Sequence, residues 1–352
     1  MQHLAARPLL ATTLLAAGLA ACAKSAENLP AGPTPEQIAC ENESLQGLYP
    51  RLSCTGLYTN IAAHELSLEA RAYKPGTQLW SDGAEKTRFI ALPAGTKIDT
   101  ADMSQWIFPV GTRVWKEFRL GAKRIETRFY FKESDIKWRR TTYRWNADET
   151  EAVRLDAGEL NVNGTTYEVP ETTKCNSCHD GAKDELLGFE AVSLALPTAE
   201  GLTLKTLVDE GWLTHPPAKT SIALPEDGHG SGPALGFLHA NCGVSCHSGF
   251  SFSPLSYVDL SLRLDGNALL GSAPAPAVSE MAPWKSTVGV AMHVAPGDLP
   301  TTRITRGNAD QSAVVTLVAR RTTTGDGQMP PLATHVVDAE GVAALRAWIG
   351  AL

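Results

Sequence analysis

The sequence predicts a multidomain chain: an all-β, sandwich-like N-terminal domain followed by an α-helical C-terminal domain. Three observations predict it. From Thr87 to Trp145 apolar and polar residues alternate with period two in short runs parted by Pro- and Gly-containing breaks, the signature of strands at hairpin spacing. From about Ser231 apolar residues recur at spacings of three, four and seven, the signature of helices. At 352 residues with 43% apolar content, the chain is long enough for two or three compact cores.

The N-terminus reads as an export signal, because Arg7 precedes an apolar run from Leu9 to Ala20. A run of about 12 residues is too short to cross a bilayer as a mature helix. It closes on Leu19-Ala20-Ala21-Cys22, which resembles the bacterial lipobox. Residues 1–21 are therefore expected to be removed as a lipoprotein signal peptide, with Cys22 lipidated; a plain signal peptide cut near Ala21 is the alternative. Lipidation would tie the chain to a membrane of the bacterial cell envelope, facing the periplasm or the cell surface. Residues 22–39, rich in Ala, Pro, Glu and small polar residues without an apolar period, read as a flexible tether.

Residues 40–170 carry the strand signals. Ile125, Thr127, Phe129 and Phe131 alternate with Glu126, Arg128, Tyr130 and Lys132, and Thr141, Tyr143 and Trp145 do the same against Arg140, Thr142 and Arg144. Both patterns predict half-buried strands, as do the shorter runs Thr87–Leu92 and Arg113–Phe118. Asn163-Gly164 predicts a two-residue hairpin turn, since both positions favour positive φ. Trp80, Trp106, Trp115, Trp138 and Trp145 fall here and read as core or cross-strand pairs rather than as a glycan platform. Cys40 and Cys54, 14 residues apart, read in an oxidising compartment as a disulfide contributing roughly 3 kcal/mol by loop closure; two buried thiols are the alternative.

Residues 171–229 are loop-like, with one predicted helix from Thr203 to Trp212. Residues 230–352 are helical again. A short helix is predicted around Ala234–Asn241, another over Gln311–Arg320 behind Asp310 as N-cap, and a last one from Asp338 that turns Val342, Leu345, Trp348 and Ile349 inward. No internal repeat relates these segments. The formal charge is −7, and loss of residues 1–21 removes Arg7 and no acid, giving −8. An acidic balance without clustered Lys and Arg excludes a nucleic-acid footprint.

The chemistry lies in the remaining cysteines. Cys175-Asn176-Ser177-Cys178-His179 is a Cys-x-x-Cys-His motif, which this Cys and His content would produce by chance roughly 0.004 times. Covalent haem attachment requires this pattern: each thiol adds to a vinyl group, and the adjacent imidazole takes the iron axially. Cys242 and Cys246, followed by His247, repeat it with three residues between the thiols. On a helix, i,i+3 and i,i+4 pairs are offset by about −60° and +40°, so either gap leaves both thiols on one face. Met329, in Gly325-Asp326-Gly327-Gln328-Met329-Pro330-Pro331, reads as the opposite axial ligand of the second haem. His215, Met281, Met292 and His293 stand as candidates opposite the first, and His239 reads as a hydrogen-bonding residue. The rival readings are a thioredoxin-like redox pair at Cys175–Cys178, a zinc site drawing on all four thiols, and a haem-free Cys242–Cys246 disulfide.

With these residues in hand, the chain resembles a family of bacterial exported dihaem c-type cytochromes that carry an N-terminal β domain. The resemblance covers most of residues 75–352. It rests on Leu79-Trp80-Ser81-Asp82-Gly83-Ala84, Phe108-Pro109-Val110-Gly111-Thr112, Cys175–His179, Leu238-His239-Ala240-Asn241-Cys242, Pro296-Gly297-Asp298 and Met329-Pro330-Pro331. Members of the family usually have a two-residue gap in the second motif, and this chain departs there. The resemblance implies a cytochrome c-like plan for the helical domain, two haem c groups, and electron transfer to a redox partner protein with no particular reaction. Two alternatives stand beside it: a dihaem peroxidase-like enzyme, and a β-domain binding module with a reduced haem complement.

Overall fold

The computed structural model describes residues 40, 48–294 and 297–352; the export signal, the lipidation site Cys22 and the tether lie outside the described residues. Among the described residues, no helix is long and apolar enough to cross a membrane.

The architecture is organised on a seven-stranded antiparallel sheet. Its strands are β3 (Arg71–Lys74), β4 (Glu85–Ala91), β5 (Arg113–Leu120), β6 (Lys123–Ser134), β7 (Lys137–Trp145), β8 (Ala152–Arg154) and β9 (Glu200–Gly201), in the order β8-β7-β6-β5-β4-β3-β9. A separate two-stranded ribbon joins β1 (Tyr58–Asn60) to β2 (Glu65–Leu66). Two-residue connections close the β5–β6 and β6–β7 hairpins, and Gly121 supplies the positive φ that the first one needs. The predicted runs at Thr87, Arg113, Ile125 and Thr141 all fall in this sheet. Cys40 and Cys54 are joined in a disulfide.

The expected sandwich is not formed. On one face of the sheet Phe89, Trp115, Phe129, Tyr143 and Trp145 pack with Leu48, Leu52, Leu57 and Tyr58 from the preceding loops. On the other, Ile90, Val114, Tyr130 and Trp138 pack with Leu186, Phe189, Leu194, Leu202, Leu207 and Leu213. Both faces of β6 are buried, so its alternation separates two covered surfaces rather than core from solvent. Each cover is made of loops and short helices, and no second sheet of comparable size exists among the described residues.

The expected separate α-helical, cytochrome c-like domain is not formed either. Eight α-helices occur among the described residues: α1 (Asn176–His179), α2 (Ala191–Ala195), α3 (Leu204–Asp209), α4 (Ser231–Leu238), α5 (Gly266–Leu270), α6 (Ala282–Lys285), α7 (Ala313–Ala319) and α8 (Ala339–Ala351). Seven have eight residues or fewer, because Gly and Pro interrupt the apolar periods early. Helices α4, α7 and α8 share a core with Val192 of α2, while α2 also packs under the sheet. Strand β9, downstream of the first motif, hydrogen-bonds to β3. The Trp80 amide donates to Asn241 Oδ1 at 2.7 Å, and Asp82 accepts from the amides of His335 and Val336. The motif-bearing segments are thus built onto the sheet.

Smaller differences have local causes. Asn163 and Gly164 both take positive φ, as predicted, but flanking strands are replaced by an isolated bridge between Glu159 and Val169. Helix α7 starts behind Ser312, since Asp310 is engaged with Arg346 instead.

Candidate functional site

The first motif is a single helical turn. Thr172–Lys174 forms a 3-10 turn that runs into α1, and the amides of Cys178 and His179 both donate to the Cys175 carbonyl. What positions this turn is the loop that follows, 180–189. Asp184 forms a buried ion pair with Lys132 of β6 (2.5 and 2.6 Å) and also accepts from the Phe108 amide and Trp138 Nε1. Arg140 of β7 holds Asn176 and Glu185 together. These contacts fix the Glu185 carbonyl 2.5 Å from His179 Nδ1, which therefore carries the ring proton. The lone pair is on Nε2, where it accepts from the Tyr130 hydroxyl at 2.8 Å. Burial, then Arg140, Lys116 and Arg128, holds His179 far below the ordinary histidine range, so the imidazole is neutral.

The second motif absorbs its extra residue in the backbone. After α4 the helix widens into a π turn over His239–Gly243, with the Val244 amide donating to His239 and the His247 amide to Cys242. One added residue per turn is what an i→i+5 bond accommodates, and such turns concentrate at functional sites. Gly243 is required there, because a Cβ would overlap the Leu262 carbonyl. His247 is buried, pushed down to about 4 by burial and then by Arg303, and its Nδ1 has no hydrogen-bond partner among the described residues. His239 is fully buried and hydrogen-bonds, as expected: Nε2 lies 3.2 Å from Glu190, and Nδ1 accepts from the Leu264 amide.

The two motifs touch. The Cys246 sulfur lies 3.3 Å from the Ser177 carbonyl, and Gly181 sits so close to Ser245 that a Cβ would overlap its carbonyl. The Cys178 thiol hydrogen-bonds Cys246 and, against the effect of burial, draws it down to about 7; the same contact, with burial, pushes Cys178 up. Burial raises Cys175, and it raises Cys242 to about 12. Among the described residues, no three His, Cys, Asp or Glu side chains converge as they would around one bare ion.

All four thiols, His179, His247 and Met329 line one cavity of about 730 Å³, inside the roughly 300–1,000 Å³ range of small-molecule and cofactor pockets. Its walls are largely apolar, with Val114, Leu238, Leu262 and Val314 among them. Met329 is held by its loop: the amide donates to Leu317, and buried Gln328 bonds the Pro330 and Thr334 carbonyls and the Thr322 amide. Of the four residues that the sequence offered as partners to the first motif, Met292 and His293 line the cavity. Met281 belongs to the helical core, and His215 is exposed beside Thr100 and Asp99. Tyr130, Lys132 and Asp184 carried no motif signal, since their partners lie far along the chain, and Gln328 carried none because its partners are carbonyls and an amide of its own loop, which no residue type marks.

These residues fit a sulfur-linked porphyrin in donor set and in space: four thiols, two neutral imidazoles, the half-buried His179 and the buried His247, and a thioether around a walled apolar cavity. Ligation through His179 requires the Tyr130 hydroxyl to release Nε2. No protein-family model, curated protein or solved structure matches the chain.

Proposed function

We propose that the chain is an envelope electron carrier of the dihaem c-type cytochrome kind, tethered through a lipidated Cys22 and passing electrons to a redox partner protein. Cys175, Cys178 and His179 would hold one haem; Cys242, Cys246, His247 and Met329 would hold the other. The observation that carries the reading is the convergence of both motifs and Met329 on one apolar cavity. Haem bound there supplies reversible one-electron chemistry. The residues' own part is to exclude water, keep both imidazoles neutral, and hold His179 through Glu185 and Met329 through Gln328. Contact between the motifs supports electron exchange within the chain. Haem quantitation on protein matured with a haem-attachment system tests this: two haems per chain are expected, and one in either the Cys175→Ala/Cys178→Ala or the Cys242→Ala/Cys246→Ala variant. A colourless wild type sinks the proposal.

The Cys178–Cys246 contact favours a second reading, a dithiol pair bridging the two motifs in haem-free protein. A loss of two hydrogens on mild oxidation, abolished by Cys246→Ser, would support it.

A further inference from the structure

The sheet face turned to the cavity carries a row of cations. In the antiparallel register Arg88 of β4 stands opposite Lys116 of β5, and Lys116 opposite Arg128 of β6, and all three line the cavity. Like charges directly opposite destabilise a sheet, and a buried charge without a counter-charge costs several kcal/mol. Counter-charge is scarce here. Arg128 pairs with Glu126 at 2.7 Å, and Glu126 also accepts from Tyr167. Arg88, only 3% exposed, donates to the neutral amide of Gln78. Among the described residues Lys116 has no hydrogen bond and no ion pair, and Glu126, already paired with Arg128, acts on it only at longer range; its ammonium lies 4.9 Å over the Phe118 ring. Lys86 nearby adds a fourth cation, donating to the Leu79 carbonyl.

The row faces the first motif. Lys116 and Arg128 both act electrostatically on His179, and Arg128 acts on Cys175. Opposing cations at the wall of an apolar cavity match a flat apolar ligand that bears anionic groups at one edge, and porphyrins of biological haem carry two carboxylates there. We infer that Arg88, Lys116 and Arg128 bind the two carboxylates of the porphyrin attached at Cys175 and Cys178. This rests on the haem reading above and gives the β-sheet a part in the site: it neutralises the cofactor edge that the thiols leave unanchored. Desolvation beside Arg88 and Lys86 holds Lys116 well below the ordinary lysine range, a condition that an adjacent anion relieves.

The test uses matured full-length protein and its Lys116→Met, Arg88→Met and Lys116→Arg variants, with haem content and the midpoint potential of each haem as readouts. The Cys175→Ala/Cys178→Ala variant identifies which potential belongs to the first haem. Two haems are expected in the wild type and in the Lys116→Met, Arg88→Met and Lys116→Arg variants, and one in the double-cysteine variant. In Lys116→Met and Arg88→Met the first haem's potential should shift negative, because the unneutralised carboxylates favour ferric iron, while the second haem's stays fixed. Lys116→Arg should restore the wild-type value. Unchanged potentials in both neutral variants, or equal shifts at both haems, overturn the carboxylate assignment and leave the haem reading standing. Absence of haem from wild-type Cys175 and Cys178 overturns both.

Discussion

His179 is oriented by a carbonyl six residues away, but that carbonyl is held in place by contacts that include Arg140–Glu185 and Lys132–Asp184, 45 and 52 positions apart in the chain. The motif residues were legible because their chemistry depends on local spacing. Tyr130, Lys132 and Asp184 were not, because nothing near them in sequence marks a distant partner, and Gln328 was not because it bonds backbone groups of its own loop. Met329 was legible only in combination with the upstream motif. Methionine opposite histidine raises the iron potential relative to two histidines. On the proposed haem reading, Met329→His is therefore expected to lower the potential of the haem held at Cys242 and Cys246 with haem content unchanged, as read by spectroelectrochemistry. Glu190 gives a prediction in pH. It caps α2 through the Val192 and Ser193 amides, and although burial opposes it, His239 and Arg263 hold it down to about 2. A depressed carboxylate stabilises the fold above its unfolded value of about 4.3, and that contribution is lost as pH falls through the folded value. Unfolding free energy should thus fall between about pH 4.3 and 2. In Glu190→Gln the fall should be shallower, and that variant should cost roughly 1–3 kcal/mol near neutrality.

At the level of elements, the loop after α1 and the π turn after α4 do the positioning. Strands β4 to β7 were readable from period-two alternation, but which side was covered was not. Tyr130 and Lys132 sit on the face that a half-buried strand gives to solvent, and both are buried. A lysine in the pattern argues for solvent unless its carboxylate is known, and Asp184 lies on another element. Removing one partner of such a buried pair strands the other charge. Asp184→Asn is expected to cost about 3–5 kcal/mol in urea unfolding, and to loosen the 180–189 loop so that amide exchange there rises before that of β6. Equal protection of the loop in wild type and variant would show that the ion pair does not hold it. The π turn was illegible for another reason: Cys242 to His247 fits a regular helix as well as a widened one, and the widening shows only in the backbone bonds from Val244 to His239 and from His247 to Cys242.

At the scale of the whole fold, the seven-stranded sheet carries cover on both faces, and the helical segments close over it around the cavity that both motifs line. The sequence suggested two independent units because strand signals precede helix signals along the chain. Packing crosses that order: β9 completes the sheet from beyond the first motif, and Trp80 and Asp82 fasten the segment before β4 to Asn241 and to the loop after Met329. A cavity walled by both halves explains why the cysteines of the two motifs meet although they are 67 residues apart at Cys175 and Cys242. The claim on which the account depends is that porphyrin is bonded to these sulfurs. An intact mass of the matured chain under denaturing conditions measures this directly. The account predicts a mass exceeding the polypeptide and its lipid by two haems that survive unfolding; a mass equal to the polypeptide and lipid alone would contradict it.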